Sequence, residues 1–564
     1  MAVNNYRGVR DLNWHVPANN VCIVGPGDAG KSSVLDAIEV ALSPDLSRAF
    51  DDADFYNLDT AKPIVVSVTI GGLDETDENV AVLLSAENYG MLLRGYKPGE
   101  VLDQPESDAE KVLTVELRVN DDLEAEWSIV APGRESKRIR RQHLARFGVI
   151  KLGTFADWHF SWSQNSIIYR LLDGQTAGVQ SVLAEIGREA RRNTLALPIL
   201  SVQATSLEAD VRAFGVKAGT YSPKLDIQSM ALKSGSLTLH DGNVPVRRHG
   251  TGSKRLIALA LQNRLHAGKS VRLIDEIELG LEPHRIAQAL SKMPVSEGHT
   301  IMTTHSPVVL RELEAKELVV FHNDDGVVKA VSFGSDLDAD SLLAIQANLR
   351  KSAECFLAPR IIVCEGATEV GLVRAANEWR QALGKEAFSA LGIMPMDAGG
   401  YANCAPIAER LRLAGYEVAV FCDSDTALTT PIADLNSNGI NVFTWAGGVC
   451  TEQALFRDIP ADLAAEVIRL AVANFTIESV RSKLTNVDAA YSTLPADPGH
   501  WPWGSAGFNA NVASASVIGN DSSAWFKRTD RGQELGELVF PRIGELDASA
   551  NFRMVIEALS HWCG

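Results

Sequence analysis

The sequence has no long hydrophobic run, no paired cysteine spacing and no excess of positive charge. Each absence excludes a class of protein. No apolar stretch approaches the roughly 20 residues that a membrane-spanning helix needs. The start of the chain, with Asn4, Asn5, Arg7 and Arg10, lacks the apolar core of a signal peptide. The seven cysteines are odd in number, scattered and without C-x-x-C spacing, which excludes a disulfide framework. Cys22, Cys364 and Cys422 sit inside apolar strand-like runs, where cysteine acts as a small buried hydrophobe. A reducing cytoplasm is the expected setting, with no membrane partner. Lys and Arg number 53 against 71 Asp and Glu, a net charge of −18. A protein that only coats DNA is expected to be basic. Acidity of this size argues against tight non-specific binding, but not against an enzyme whose carboxylates hold metal ions.

Aromatic residues make up only 7% of the chain, yet 46% is hydrophobic, so sizeable cores can be buried. At 564 residues, about two to four domains are expected. The most informative stretch comes early. Val21-Cys22-Ile23-Val24 runs into Gly25-Pro26-Gly27-Asp28-Ala29-Gly30-Lys31-Ser32-Ser33, followed by the helix-periodic Val34-Leu35-x-x-Ile38. Strand, glycine loop and helix in this order form a P-loop. The glycines let backbone N–H groups converge on phosphate oxygens, and the helix N-terminus adds partial positive charge. Lys31 is placed to reach the β- and γ-phosphates, and the Ser32 hydroxyl to ligate Mg²⁺. ATP with Mg²⁺ is the expected cofactor.

Further on, strands are expected at Pro63–Ile70 and Val112–Val119, adjacent without a helix and so antiparallel. Arg134 to His143 is the densest basic run, a solvated loop more readily than a phosphate contact. Helical periodicity marks about 175 to 215. Leu237-Thr238-Leu239 and Val244-Pro245-Val246 flank an Asp241-Gly242 turn, and Gly250-Thr251-Gly252-Ser253-Lys254 then opens another helix. Val271-Arg272-Leu273-Ile274 is a short apolar strand ending in Asp275-Glu276. Beside a P-loop, Asp275 is the expected Mg²⁺-holding acid and Glu276 is placed to polarise the attacking water. Thr300 to Thr304 forms another strand, and His305 at its end is placed to reach the γ-phosphate.

P-loop, small-residue signature, Asp-Glu strand and histidine in this order resemble the ABC-type ATPase heads of the SMC, RecF and Rad50 group. That resemblance implies two protomers sandwiching ATP, with Ser253 of one acting on nucleotide held by the other, and hence a homodimer or higher oligomer. Gln164 and Gln175 are the candidates for that family's glutamine loop.

The second half opens a new α/β unit. Ile361-Ile362-Val363-Cys364 ends in Glu365-Gly366, and Glu369 falls in the first turn of the helix that follows. Val418 to Cys422 ends in Asp423-Ser424-Asp425, whose two carboxylates project to one side and can share one or two hard cations. Carboxylates this dense repel one another without a cation. The arrangement resembles the Toprim domain of topoisomerases, primases and certain nucleases. An ABC-type ATPase fused to such a domain resembles the OLD (overcoming lysogenisation defect) nucleases, as in Gabija-type and retron-associated anti-phage effectors. The resemblance implies an α/β fold in two parts. An ABC-type P-loop ATPase head over 1–350 would carry a helical insertion or dimerisation arm at about 175–235, and a Toprim (Rossmann-like) domain with a C-terminal extension would occupy 355–564.

It also implies a metal-dependent phosphodiesterase using Mg²⁺ or Mn²⁺ on Glu365, Glu369, Asp423 and Asp425, with a further acid at Glu452 and a catalytic basic residue at Lys527 steadying the transition state. The expected activity is ATP-gated DNA cleavage in anti-phage defence, with a possible defence partner protein. An SMC-like scaffold that assembles with a partner, and an RNA or tRNA nuclease toxin, are the competing readings; a two-metal site recognises a phosphodiester rather than a base. His500-Trp501-Pro502-Trp503 is read as a packed turn rather than a DNA-facing patch.

Overall fold

In the computed structural model all residues are described except 47, 74–75, 77, 86, 154–156, 164–165, 172–180, 184, 187, 190–201, 208–210, 212–219, 221–236, 266–270, 294–297, 334–338 and 521–522. The expected arm at 175–235 falls almost wholly outside the described residues, as do Gln164 and Gln175. The chain divides into two compact units. The first holds Met1–Val34, Tyr56–Leu58 and Thr303–Gly564, and the second Leu35–Phe55 and Asp59–Met302.

In the first unit, strand Asn20–Val24 is apolar along its length because it is buried on both faces. It lies parallel to Leu318–Asp324, which turns back antiparallel into Val327–Ser332. Asp325 and Gly326 both have positive φ at that turn, the left-handed pair that matches the twist of a tight hairpin. Val327–Ser332 continues parallel to Val9–Asn13, itself antiparallel to Ala2–Tyr6.

The same unit carries a separate four-stranded parallel sheet in the order Ile393–Asp397, Arg360–Cys364, Glu417–Cys422, Asn441–Thr444. Ile361 to Cys364 and Val418 to Phe421 have no exposed surface. Each such apolar side chain contributes about 1.5–3 kcal/mol through burial. Helix Ala367–Ala382 packs on helix Thr529–Val539 at unusually short range. A Cβ at Gly371 would fall 2.4 Å from the Thr529 carbonyl oxygen, and one at Gly532 would fall 2.5 Å from that of Thr368. The C-terminal extension is thereby locked against the first helix of the parallel sheet. Trp501 is 4% exposed and packs with Trp503 and Phe508, so the tryptophan turn belongs to the core.

In the second unit, Ile150–Leu152, Val271–Ile274 and His299–Thr303 form a parallel set. Ile64–Ile70, Glu110–Val119 and Ala125–Val130 form an antiparallel one. Ile64–Ile70 alternates buried with half-buried residues over Ile64–Val68, whereas Val112–Val115 of Glu110–Val119 are all buried. The basic run at 134–143 is mostly exposed and ends in the short helix Arg141–Leu144. All seven cysteines are buried and none is in a disulfide. No helix among the described residues is long and apolar enough to cross a membrane.

Candidate functional site

The glycine loop is shaped by its neighbours in the first unit. Gly25 has φ +151°, and a Cβ there would meet the Phe321 carbonyl oxygen at 2.3 Å, so the adjacent strand admits only glycine. Gly30 has φ +85° and lies between the Val9 and Val328 side chains. Asn323 pins the loop from the side, donating Nδ2 to the Asp28 and Gly8 carbonyl oxygens at 3.0 and 3.1 Å. Asp28, also at positive φ, is exposed with Gly27, and Ala29 is buried behind them. Helix Lys31–Leu42 starts at the end of the loop. Lys31 is 6% exposed, and its ammonium donates to the Gly25 and Pro26 carbonyl oxygens at 2.9 Å each. Ser32 is exposed beside the half-buried Ser33 and Pro26. An open glycine loop, a lysine folded over it and a helix N-terminus together fit a triphosphate. His305 is exposed just after strand His299–Thr303, where Thr304 and Ser306 fix the turn: Ser306 N donates to Thr304 Oγ1 at 2.9 Å.

In the second unit Asp275 follows strand Val271–Ile274 and is 8% exposed. Arg255, 3% exposed on helix Thr251–Leu265, donates to the carbonyl oxygens of Gly153, Asp275 and Glu276. Burial lowers its pKa to about 10, and the Asp275 charge opposes that shift. Glu276 sits at φ +49°, a left-handed backbone uncommon outside glycine. The small-residue signature meets the turn after this strand: a Cβ at Gly252 would lie 2.3 Å from the Gly280 carbonyl oxygen. Ser253 is half-buried one residue on, and Lys254 pairs with Asp157 at 2.7 Å. Gly252 lies in the small-residue signature singled out in the sequence, whereas Arg255 was not legible as a site residue.

The acids of the second half meet at one end of the parallel sheet. Glu365 follows one central strand and Asp423 the next, and Asp423 N donates to Glu365 Oε2 at 3.0 Å. Glu369, 5% exposed, accepts from Gly366 N at 3.1 Å. Thr451 joins the two sets: its hydroxyl lies 2.8 Å from Asp423 Oδ1 and 3.0 Å from Glu369 Oε1, with a single proton to give. Trp445 Nε1 and Thr451 N also donate to Asp423 Oδ1, at 3.1 and 2.9 Å. Thr451 and Trp445 are site residues that sequence reasoning missed, although Thr451 adjoins the predicted Glu452.

Burial raises the pKa of Glu365, Glu369 and Asp423, and neighbouring carboxylate charge adds to each rise. Glu452, 2% exposed, is pushed up to about 7 by burial and by Asp423, with Lys527 opposing. Asp425 and Lys527 are exposed, but their charges reach Glu365 from opposite directions in sign. Five acids and a lysine from four separated segments thus share one electrostatic neighbourhood.

Among the described residues, no three His, Cys, Asp or Glu side chains stand as a finished metal-ligand set. Here Asp423 and Glu369 are turned onto Thr451, Trp445 and backbone amides. The donor chemistry nevertheless fits a hard cation, because every candidate ligand is a carboxylate oxygen. Glu452 Oε1 is buried without a hydrogen-bond partner, which a cation would supply.

The glycine loop running into a helix, inside a mixed α/β fold, is that of a P-loop ATPase domain. The chain belongs to the family described as "AAA domain, putative AbiEii toxin, Type IV TA system", whose model matches residues 21–311. No curated protein matches the sequence. Similar solved structures include an Smc head bound to the C-winged helix domain of ScpA, at 16% identity and TM-score 0.33, covering 60% of this chain and 97% of that one. An Smc head with an extended coiled coil bound to the C-terminal domain of ScpA, derived from Pyrococcus furiosus, has 15% identity and TM-score 0.35, covering 62% and 98%. The SMC head domain from Thermotoga maritima has 14% identity and TM-score 0.28, covering 59% and 97%.

Proposed function

We propose that the chain is an ATP-controlled, metal-dependent endonuclease of the OLD type, with an ATPase part over 1–350 and a Toprim part over 355–564. The observation that carries this reading is the meeting of Glu369 and Asp423 on the Thr451 hydroxyl, with Glu365 accepting from Asp423 N and with Glu452, Asp425 and Lys527 coupled to these acids through charge. Buried carboxylates whose charges raise one another's pKa gather at functional sites.

In this reading Lys31, Ser32 and the loop amides from Gly25 to Ser33 bind ATP, Asp275 serves its Mg²⁺, and Glu276 orients water. His305 attends the γ-phosphate, and Ser253 acts on nucleotide held by a second copy. Glu365, Glu369, Asp423, Asp425 and Glu452 hold Mg²⁺ or Mn²⁺ at the other site. When bound, that metal supplies an activated water and charge stabilisation for phosphodiester cleavage. Thr451 and Trp445 fix the Asp423 carboxylate, and Lys527 offsets charge on the scissile phosphate. DNA is the proposed substrate and anti-phage defence the proposed role, with a homo-oligomer as the working form. The toxin in the family's description favours one second reading, in which the same site cuts RNA.

The test is incubation of supercoiled plasmid, and separately of RNA, with Mn²⁺ or Mg²⁺, with and without ATP. The wild type is expected to nick or linearise plasmid, Asp423→Ala to lose cleavage, and Lys31→Ala to lose control by ATP. Cleavage of RNA alone would select the second reading. Cleavage of neither, with ATP turnover intact, would leave an SMC-like scaffold.

A further inference from the structure

Lys151 has no part in the chemistry so far, yet it stands between two carboxylates. It lies in the middle of strand Ile150–Leu152, in register with Leu273 on the parallel strand that ends at Asp275. Its ammonium is hydrogen-bonded to Asp36 Oδ1 and lies 3.8 Å from Asp275 Oδ2. The three side chains are 10%, 19% and 11% exposed, in the order Lys151, Asp36, Asp275. Two carboxylates this sheltered repel one another, and one ammonium between them offsets both. Asp36 lies four residues after Ser32, hence one turn along the same helix face.

We propose that Lys151 is a positioning residue for the ATPase reaction. It is a resident cation that holds Asp275 in place in the nucleotide-free protein and stays with Asp36 once a divalent cation takes Asp275. This rests on reading Asp275 as the acid that serves the nucleotide's metal. Lys151 faces Asp36 and Asp275 before the divalent cation arrives and Asp36 afterwards, with Glu39 also within reach of its charge and Arg255 within reach of that of Asp275. Asp36 is what prevents the ammonium from competing with the metal. The pair therefore sets how much Mg²⁺ the site demands.

Two single substitutions should move that demand in opposite directions, which general damage to the fold would not do. Lys151→Met leaves two carboxylates without their ammonium, so the half-saturating Mg²⁺ concentration should fall by roughly threefold or more. Asp36→Asn gives the whole ammonium to Asp275, so that concentration should rise by roughly threefold or more. Lys151→Arg keeps the charge and should stay near wild type. The readout is the fluorescence of an environment-sensitive ATP analogue bound while free Mg²⁺ is titrated. Melting temperature without nucleotide or metal is a second readout, and Lys151→Met should lower it.

Opposite shifts support the proposal. Shifts of one sign, or none with analogue binding retained, overturn it. If a single variant fails to fold, the Lys151→Met/Asp36→Asn double variant decides: wild-type Mg²⁺ demand supports the charge pair, and a large change overturns it. If the wild type binds the analogue without any dependence on Mg²⁺, the role of Asp275 falls and this proposal falls with it.

Discussion

A carboxylate sheltered from water keeps its charge only if hydrogen bonds or a cation hold it, and Glu452 has one oxygen with neither. Its pKa is raised from 4.5 to about 7 in the folded chain. The sign of the consequence follows from linkage. A raised folded-state pKa means that the folded protein prefers the protonated acid, so stability is lost as pH climbs through the interval from 4.5 to about 7. Glu452→Gln removes that loss. In metal-free buffer the variant should melt above wild type, by a margin that widens from about pH 5 to about pH 8. A constant margin across that range would contradict the assignment. Thr451 is the other informative residue. Thr451→Val deletes the hydroxyl between Glu369 and Asp423 while keeping its shape. It should weaken metal-dependent cleavage at least tenfold, in line with the effect of groups that orient metal ligands. Calorimetric titration with Mn²⁺ would show whether the loss lies in metal affinity. Wild-type affinity in Thr451→Val would remove Thr451 from the site.

Between elements, backbone contact sets the tolerances. Helix Ala367–Ala382 carries Glu369 and is held by helix Thr529–Val539 through Gly371 and Gly532. Gly371→Val forces a branched side chain against the Thr529 carbonyl and should cost about 1–3 kcal/mol or more. Thermal melting would register this, and unchanged melting would mean that the two helices are not clamped there. Gly252→Ala meets the Gly280 carbonyl in the same way and should impair ATP turnover more than nucleotide binding, since the glycine loop itself is untouched. Comparing turnover with binding of an ATP analogue separates the two effects.

This is also the scale at which the sequence was most and least readable. Apolar runs ending in Asp275, Glu365 and Asp423 announced buried parallel strands, because their side chains must be apolar on both faces. Local patterns do not reveal which distant segment completes a cluster. The glycine contacts, Trp445 and Thr451 are set by packing between helices and strands far apart in the chain. Nothing in the local pattern around Lys151 marks it out from other lysines. Most of the region 175–235 and both candidate glutamines lie outside the described residues.

At the scale of the whole molecule, a net charge of −18 makes non-specific retention of nucleic acid weak, so the proposed cleavage requires a site that binds metal and phosphodiester together. The acids of that site are divided among three segments from Glu365 to Glu452, and Lys527 completes the set from a fourth. The account stands or falls on whether these acids bind a divalent cation. The most direct measurement is calorimetric titration of the nucleotide-free full chain with Mn²⁺, comparing wild type with Asp423→Asn. Saturable binding by wild type, lost or weakened at least tenfold in a folded Asp423→Asn, is the predicted result. No binding by wild type, or equal binding by the variant, would contradict it and leave the ATPase domain as the chain's one chemical centre.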